Sequence, residues 1–278
     1  MSNSISNGLK RFALFSFILC LYSIYCSVWA ENIEKKSYTI ATWNIGHFSN
    51  GAKSYSMIDV ATYNESLAKY RTLIYDDIRP DVMTVNEYNV VFCGKDTENT
   101  PYKTSSLLFD GFNKNVIGSK CLAVCNAIFS KIKMGSPRTV DFVSQKNIEG
   151  DDFVRSRENY FIESELKLNG KKVKLVCMHL LFSSKVDEIY QQKQIEELIS
   201  YYKNRKRVII CGDWNTEALS SLKDAGYKLA NDGSLKTYPL KKLALDNIAV
   251  KGLDVSDVRV VKTNLSDHYP LVCRVSLK

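Results

Sequence analysis

The chain has 278 residues, of which 45% are hydrophobic and 24% charged, with 13 Gly and only 5 Pro. Those figures exclude disorder, collagen-like repeats and low-complexity sequence, which need few core-forming residues or heavy Gly and Pro use. The formal charge of +8 is compatible with an anionic partner but does not demand one, and no dense Lys/Arg tract marks a nucleic-acid arm.

Lys10 and Arg11 form a basic start, residues 12–26 an apolar run, and Ser27-Val28-Trp29-Ala30 a small-residue close. This predicts a secretory signal over 1–30, too short and too polar-flanked for a membrane span. Cleavage near Ala30 would send a soluble protein, residues 31–278, to the periplasm or the exterior. Of the eight cysteines, Cys20 and Cys26 leave with the signal, so an even number remains. Cys121 and Cys125 stand four apart in a strand-like run, too far along one face to bridge each other. Cys177, Cys211 and Cys273 sit in apolar strand patterns and read as core thiols. Cys93, in a loop, leaves a disulfide open.

Residues 38–45 alternate as a strand. Tyr63, Leu67, Tyr70 and Ile74 recur at helical spacing, and that helix must stop before Pro80. Residues 82–85 form a short strand running into Asn86-Glu87. Two further strands are read over 121–130 and 159–168. The second joins residues 172–179 through Asn169-Gly170, the strongest short hairpin signal. Ile195, Leu198, Ile199 and Tyr202 mark a second helix. More strands are expected at 207–211, 245–250, 255–261 and 271–277. No repeat, linker or shift in composition divides residues 31–278, so a single α/β domain with two packed sheets and flanking helices is expected.

The ends of the buried strands carry the informative residues. Asn44, Asn86-Glu87, His179, Gly212-Asp213-Trp214-Asn215, Asp246 and Ser266-Asp267-His268 each stand at or beside a strand end. Any one of them reads equally well as a turn, a cap or a satisfied core residue. Together they would form a cluster of carboxylates with two imidazoles. Such groups cost solvation free energy unless they are paired or bind metal. Oxygen-rich donors suit Mg²⁺ or Mn²⁺ better than zinc.

The segments Thr42-Trp43-Asn44-Ile45, Asn86-Glu87, Asn126-Ala127-Ile128-Phe129-Ser130, Met178-His179-Leu180, Gly212-Asp213-Trp214-Asn215, Leu245-Asp246-Asn247-Ile248 and Ser266-Asp267-His268-Tyr269-Pro270 occur in that order. Over residues 38–275 this set resembles the endonuclease/exonuclease/phosphatase superfamily, which includes deoxyribonucleases, neutral sphingomyelinases and inositol-phosphate phosphatases. The resemblance implies a four-layer α/β/β/α sandwich of two packed mixed sheets flanked by helices, with its site at the sheet edges. It implies a Mg²⁺ site, with Mn²⁺ as an alternative, at Asn44, Glu87 and Asp267, Glu87 being the principal ligand. It places Asp213 and Asn215 on the attacking water and the phosphate. His268 resembles a catalytic imidazole oriented by Asp246, and His179 a second histidine on the phosphate. Arg157, with Arg155 beside it, lies where some members carry a phosphate-facing arginine. Asn86 and Asn247 replace residues common in the family, and are expected to bear on substrate fit. The carboxylate that orients the second histidine in some members has no match.

A phosphate ester repels hydroxide, so its hydrolysis calls for a cation on the phosphoryl oxygens and a positioned base for water. A secreted, monomeric Mg²⁺-dependent phosphodiesterase is expected, with nucleic acid the favoured substrate. The clusters Lys203-Asn204-Arg205-Lys206-Arg207 and Lys171/Lys172/Lys174 favour a polyanion. A phospholipid or sphingomyelin phosphodiesterase, or a sugar-phosphate phosphatase, is the alternative, and residues 91–112 hold the aromatic side chains a lipid enzyme would use. A catalytically inactive binding module is a third reading, although no residue of the matched set is missing.

Overall fold

The computed structural model describes residues 37–46, 60–89, 104–107, 114–117, 120–144, 160–182 and 188–278. The expected signal at 1–30, His47, Cys93, most of the aromatic loop 91–112, Arg155 and Arg157 lie outside the described residues.

Strand β1, Ser37–Asn44, pairs in parallel with β2, Val82–Asn89, and antiparallel with β13, Leu271–Leu277. On the far side of β2 comes β5, Lys120–Ser130, which also carries the short strands β3, Thr104–Leu107, and β4, Lys114–Ile117. With β12, Leu253–Val260, at the other edge, these make a seven-stranded sheet. The second sheet has six strands in the order β10, β11, β9, β8, β7, β6. They are β6, Arg138–Asp141; β7, Tyr160–Leu168; β8, Lys171–His179; β9, Val208–Asp213; β10, Lys228–Leu229; and β11, Asp246–Lys251.

The period-two pattern of the strands builds the layers. Ile40, Val82 and Ile128 of the first sheet meet Leu175, Cys177, Ile209, Cys211 and Ile248 of the second in one interior. The alternate residues Ala41, Trp43, Met83 and Val85 face outward onto Leu67, Tyr70 and Ile74 of the helix. Val176, Met178 and Ile210 face the other way, onto Ile195, Leu198 and Tyr202. β9 is buried along its whole length, which its continuous apolar run Val-Ile-Ile-Cys anticipates for a strand covered on both faces. Truncating such a residue, Ile209 to Ala for instance, costs about 2–5 kcal/mol.

Helix α1, Val60–Arg71, runs on as a π-helical segment, Thr72–Ile78, and ends at Arg79 in the left-handed conformation (φ 52°). Proline at position 80 disfavours helix for the residue before it. Helix α2, Glu188–Tyr201, and the short α3, Ser220–Asp224, cover the second sheet. The expected four-layer sandwich is the fold the chain adopts. The Asn169-Gly170 hairpin forms as expected, both residues at positive φ (45° and 76°). Cys177, Cys211 and Cys273 are buried free thiols, as their apolar surroundings predict. Among the described residues no helix is long and apolar enough to cross a membrane.

Candidate active site

The site is built on an irregularity in β2. Val85 pairs with Ala127 of β5, but the next paired residue is Tyr88, opposite Cys125, so Asn86 and Glu87 share the single partner Asn126. This β-bulge puts Glu87 at φ 54°, uncommon for a residue with a side chain. Asn86 and Glu87 are both buried, like the residues of β2 on either side of them.

Asn86 ties the two sheets together. Its Nδ2 donates to Asn126 Oδ1 (2.7 Å) and to the Met178 carbonyl of β8 (2.9 Å), and its Oδ1 accepts from the Asp213 N–H of β9 (2.9 Å). Gly212 makes room for this. At φ 145°, a Cβ there would lie 1.8 Å from the Met178 carbonyl oxygen and 3.2 Å from Asn86 Oδ1.

β8 and β9 run in parallel and end level, His179 opposite Asp213. β11 starts level with them, Asp246 opposite Asp213. The segment before β13 is fastened to β1. Ser266 Oγ donates to the Asn44 carbonyl (2.8 Å) and accepts from the His268 N–H (3.1 Å), while Trp43 Nε1 donates to the His268 carbonyl (2.9 Å). These anchors bring Asn44, His179, Asp213, Asp246 and His268 to one edge of the sandwich.

Asp213 is the centre. Its Oδ2 lies 3.0 Å from Asn44 Nδ2, 3.6 Å from His179 Nε2 and 3.7 Å from His268 Nε2. His268 Nδ1 lies 2.7 Å from Asp246 Oδ2. Asp246 is fully buried, and its other oxygen, Oδ1, has no hydrogen bond. Asn215, at φ 50°, gives its N–H to Asp213 Oδ1 (2.9 Å) and its side-chain amide to the Leu180 carbonyl (2.8 Å), so it braces the chain just past His179.

Burial drives the electrostatics. It pushes the Asp213 carboxyl up to about 7; Asp246 adds to the rise, while His268 and the Asn44 amide oppose it. Burial works against a charged His268 ring, but Asp246 and then Asp213 outweigh it and raise the ring to about 10. Asp267 is also raised, by burial and by the nearby charge of Glu87, against the pull of His268.

The donor set fits a small, hard divalent cation. Glu87 and Asp267, whose charges act on one another, and Asp213 on the same edge offer carboxylate oxygens of the kind such an ion takes, and the upward pressure on Asp213 and Asp267 is relieved by added positive charge. Ligand atoms of Asp213, Asp246 and His268 also lie within 4.8 Å of one another. The 2.7 Å contact between His268 and Asp246 marks these two as a hydrogen-bonded pair first. Asn44 departs from expectation. Its Oδ1 accepts from the Gly46 N–H (3.0 Å), and its Nδ2 faces Asp213 and, at 3.4 Å, Glu87 Oε1. It enters the site as a donor linking two carboxylates.

Two other expectations need correction. Asn86 is a fully buried bridge between the sheets, so it has no surface to offer a substrate. Asn247 is also turned inward, holding the backbone N–H and carbonyl of Asn231 (3.0 and 2.6 Å). The clusters Lys171/Lys172/Lys174 and Lys203 to Arg207 lie at the opposite ends of β8 and β9 from His179 and Asp213. At about 3.3 Å per residue that is roughly 17 Å for Lys174, the nearest of them, about 20 Å for Arg207 and about 26 Å for Lys171. His179 Nε2 lies 3.6 Å from Asp213 Oδ2, too far for a hydrogen bond, so Asp213 does not take the place of the unmatched orienting carboxylate. Sequence reasoning overlooked Tyr238, whose ring centroid lies 4.8 Å from that of His268. Its phenol is pushed up by burial and by Asp267, Asp213 and Glu87.

No family model matches the sequence. Among curated proteins, two UPF0294 proteins of Vibrio vulnificus match, 28% identical over 137 residues and 31% over 119. The chain spans less than half of their length, 48% and 41%. Solved structures match over far more of the chain. An endonuclease/exonuclease/phosphatase from Beutenbergia cavernae superposes with a TM-score of 0.62 at 14% identity, over 87% of this chain and 72% of that one. The chain has the endonuclease/exonuclease/phosphatase fold. The same fold is shared by TDP2 of D. rerio, solved with a single-strand DNA product (TM-score 0.62, 16% identity, 87% and 99% covered). It is shared by sphingomyelinase C of Streptomyces griseocarneus (0.59, 16%, 86% and 99%) and by Staphylococcus aureus beta toxin with bound magnesium ions (0.59, 17%, 87% and 100%).

Proposed function

We propose that this protein is a secreted, Mg²⁺-dependent phosphoester hydrolase, and among such enzymes a phosphodiesterase acting on nucleic acid. The observation that carries the reading is the convergence of the His268–Asp246 pair, His179 and Asp213 beside Glu87 and Asp267 at one sandwich edge. The DNA product in one protein of this fold and the magnesium in another support the choice of substrate and metal.

Glu87 and Asp267 would hold the metal, with Asp213 adjoining. The bound ion would supply Lewis-acid neutralisation of a phosphoryl oxygen and of the departing alkoxide. Asp246 holds His268 Nδ1, which leaves Nε2 to exchange a proton on the side facing Asp213. His179 Nε2 stands on the other side of the same carboxylate, where a hydrogen bond to charge developing on phosphorus is available. Asn44 holds Asp213 in place between them.

A second reading, a phospholipid or sphingomyelin phosphodiesterase, is favoured by two exposed apolar side chains near the site. Phe182 lies three residues beyond His179 and is 54% exposed; Leu240 lies two beyond Tyr238 and is 68% exposed. One panel separates the readings: plasmid DNA, RNA, sphingomyelin vesicles and a soluble phosphomonoester, each with Mg²⁺ and with EDTA. Metal-dependent cleavage of DNA or RNA above the others is expected. Failure to cleave any of the four overturns the proposal.

A further inference from the structure

Thr237 and Tyr238 lie in the connection between β10 and β11, where nothing in the sequence marks a functional residue. Thr237 is clamped to both halves of the histidine pair. Its hydroxyl accepts from the Asp246 N–H (2.9 Å), and its carbonyl accepts from the N–H of Tyr269, the residue after His268 (2.7 Å). The next residue closes a small loop, Tyr238 and Leu243 each donating an N–H to the other's carbonyl (2.9 and 3.1 Å). These bonds hold the Tyr238 ring over His268, with centroids 4.8 Å apart and planes inclined at 40°.

The hydrogen bond to Asp246 fixes His268 at one atom, Nδ1. A single such bond sets the direction of the ring but leaves it able to rock about the bonded atom. A second aromatic surface against its face removes that freedom. Tyr238 belongs to none of the three apolar clusters of the described residues and is only partly buried. Its ring packs against the imidazole.

We propose that Tyr238 is a positioning residue, whose ring forms the wall that keeps the His268 imidazole in its working orientation. The catalytic meaning of this rests on the phosphoester-hydrolase reading; the orientation itself does not.

The test compares Tyr238→Leu and Tyr238→Phe with the parent protein in Mg²⁺, using bis(p-nitrophenyl) phosphate as the probe. NMR of the His268 Nδ1–H, assigned by its loss in His268→Asn, gives a readout free of turnover. Tyr238→Leu is expected to lower kcat by roughly 10- to 100-fold, the range for a misplaced catalytic group, with KM little changed. Its Nδ1–H signal should broaden through exchange with water. Tyr238→Phe should restore both. A Leu variant with parental kcat and a sharp signal overturns the proposal, as does a Phe variant as defective as Leu, which would assign the effect to the hydroxyl. A collapse in melting temperature for Leu also overturns it, marking Tyr238 as packing. If the parent protein hydrolyses nothing, the hydrolase reading falls and the NMR comparison still decides the orientation.

Discussion

Asp213 and Asp246 are direct cross-strand partners on β9 and β11, two buried carboxylates facing the same edge. Like charges placed opposite one another weaken a sheet. His268 lies between them, Nδ1 toward Asp246 and Nε2 toward Asp213, and its positive charge offsets the repulsion. The three residues therefore act as one unit in stability as well as in chemistry.

Removing the ring should separate those two roles. His268→Ala is expected to lower turnover by about 10²–10⁴-fold, the usual contribution of a proton-transfer group. Asp246→Asn keeps the ring and should cost less. His179→Ala should lower turnover with metal affinity nearly unchanged. Turnover measured beside melting temperature decides it; stable variants with full turnover would end the catalytic reading.

The same unit sets a pH dependence in metal-free protein. Folded His268 keeps its extra proton to about 10, against 6.5 for the ordinary side chain. Its contribution is complete below about 6.5 and is lost as pH rises through about 10. Asp213 acts in the same sense at lower pH. Its folded carboxyl holds a proton up to about 7 where an ordinary one releases near 3.8, so ionising it weakens the fold across that interval. Melting temperature in EDTA should fall as pH rises from 6.5 to 10, and His268→Asn should flatten that fall. A level profile in the parent protein would contradict the assignment.

Glu87→Gln preserves shape but removes the charge expected to hold the ion. Activity should drop by orders of magnitude at limiting Mg²⁺, and calorimetry should show weakened Mg²⁺ binding with the fold intact. Unchanged binding would take Glu87 out of the metal site.

Gly212→Ala places a methyl group against backbone, 1.8 Å from the Met178 carbonyl oxygen. No side-chain rotation relieves that contact. The loss should exceed about 4 kcal/mol, in the exceptional range for one substitution, and appear as failed folding before any change in kinetics. Asn86→Ala should be milder, leaving the Asp213 N–H and the Met178 carbonyl without the bonds Asn86 supplies, at about 1–3 kcal/mol for each buried group left unsatisfied. Chemical denaturation reads both.

Export is tested by mass. Secreted protein should begin near Glu31, and intact-mass analysis that finds residues 1–30 retained would rule out cleavage there.

The strands and their polar ends were legible because buried strands write long apolar runs, and charged groups beside them stand out against solvation cost. Asp246, Asp267 and His268 could be read this way. Glu87 was readable as a residue, but the bulge that aims it was not, since nothing in Val85-Asn86-Glu87-Tyr88 marks a positive φ. Asn86 and Asn247 were misread for a related reason: an amide shows in sequence as polar, and only the fold tells whether it meets solvent or another buried amide. Tyr238 was hidden because its loop carries no period. Its importance comes from Thr237 touching two segments that lie 9 and 32 residues further along the chain.

One consequence concerns the order in which the protein is made. β1, the first strand of the sandwich, is flanked by β13, the last, and Asp267-His268 is delivered just ahead of β13. A polypeptide emerging from the ribosome can pair β8 with β9 early. It cannot assemble the edge that joins Asn44 to His268 until the final strand is free to dock. A chain stopped before Leu271 would hold Asp267 and His268 but lack the strand that seats them beside β1, so the edge is completed only after β13 has been made.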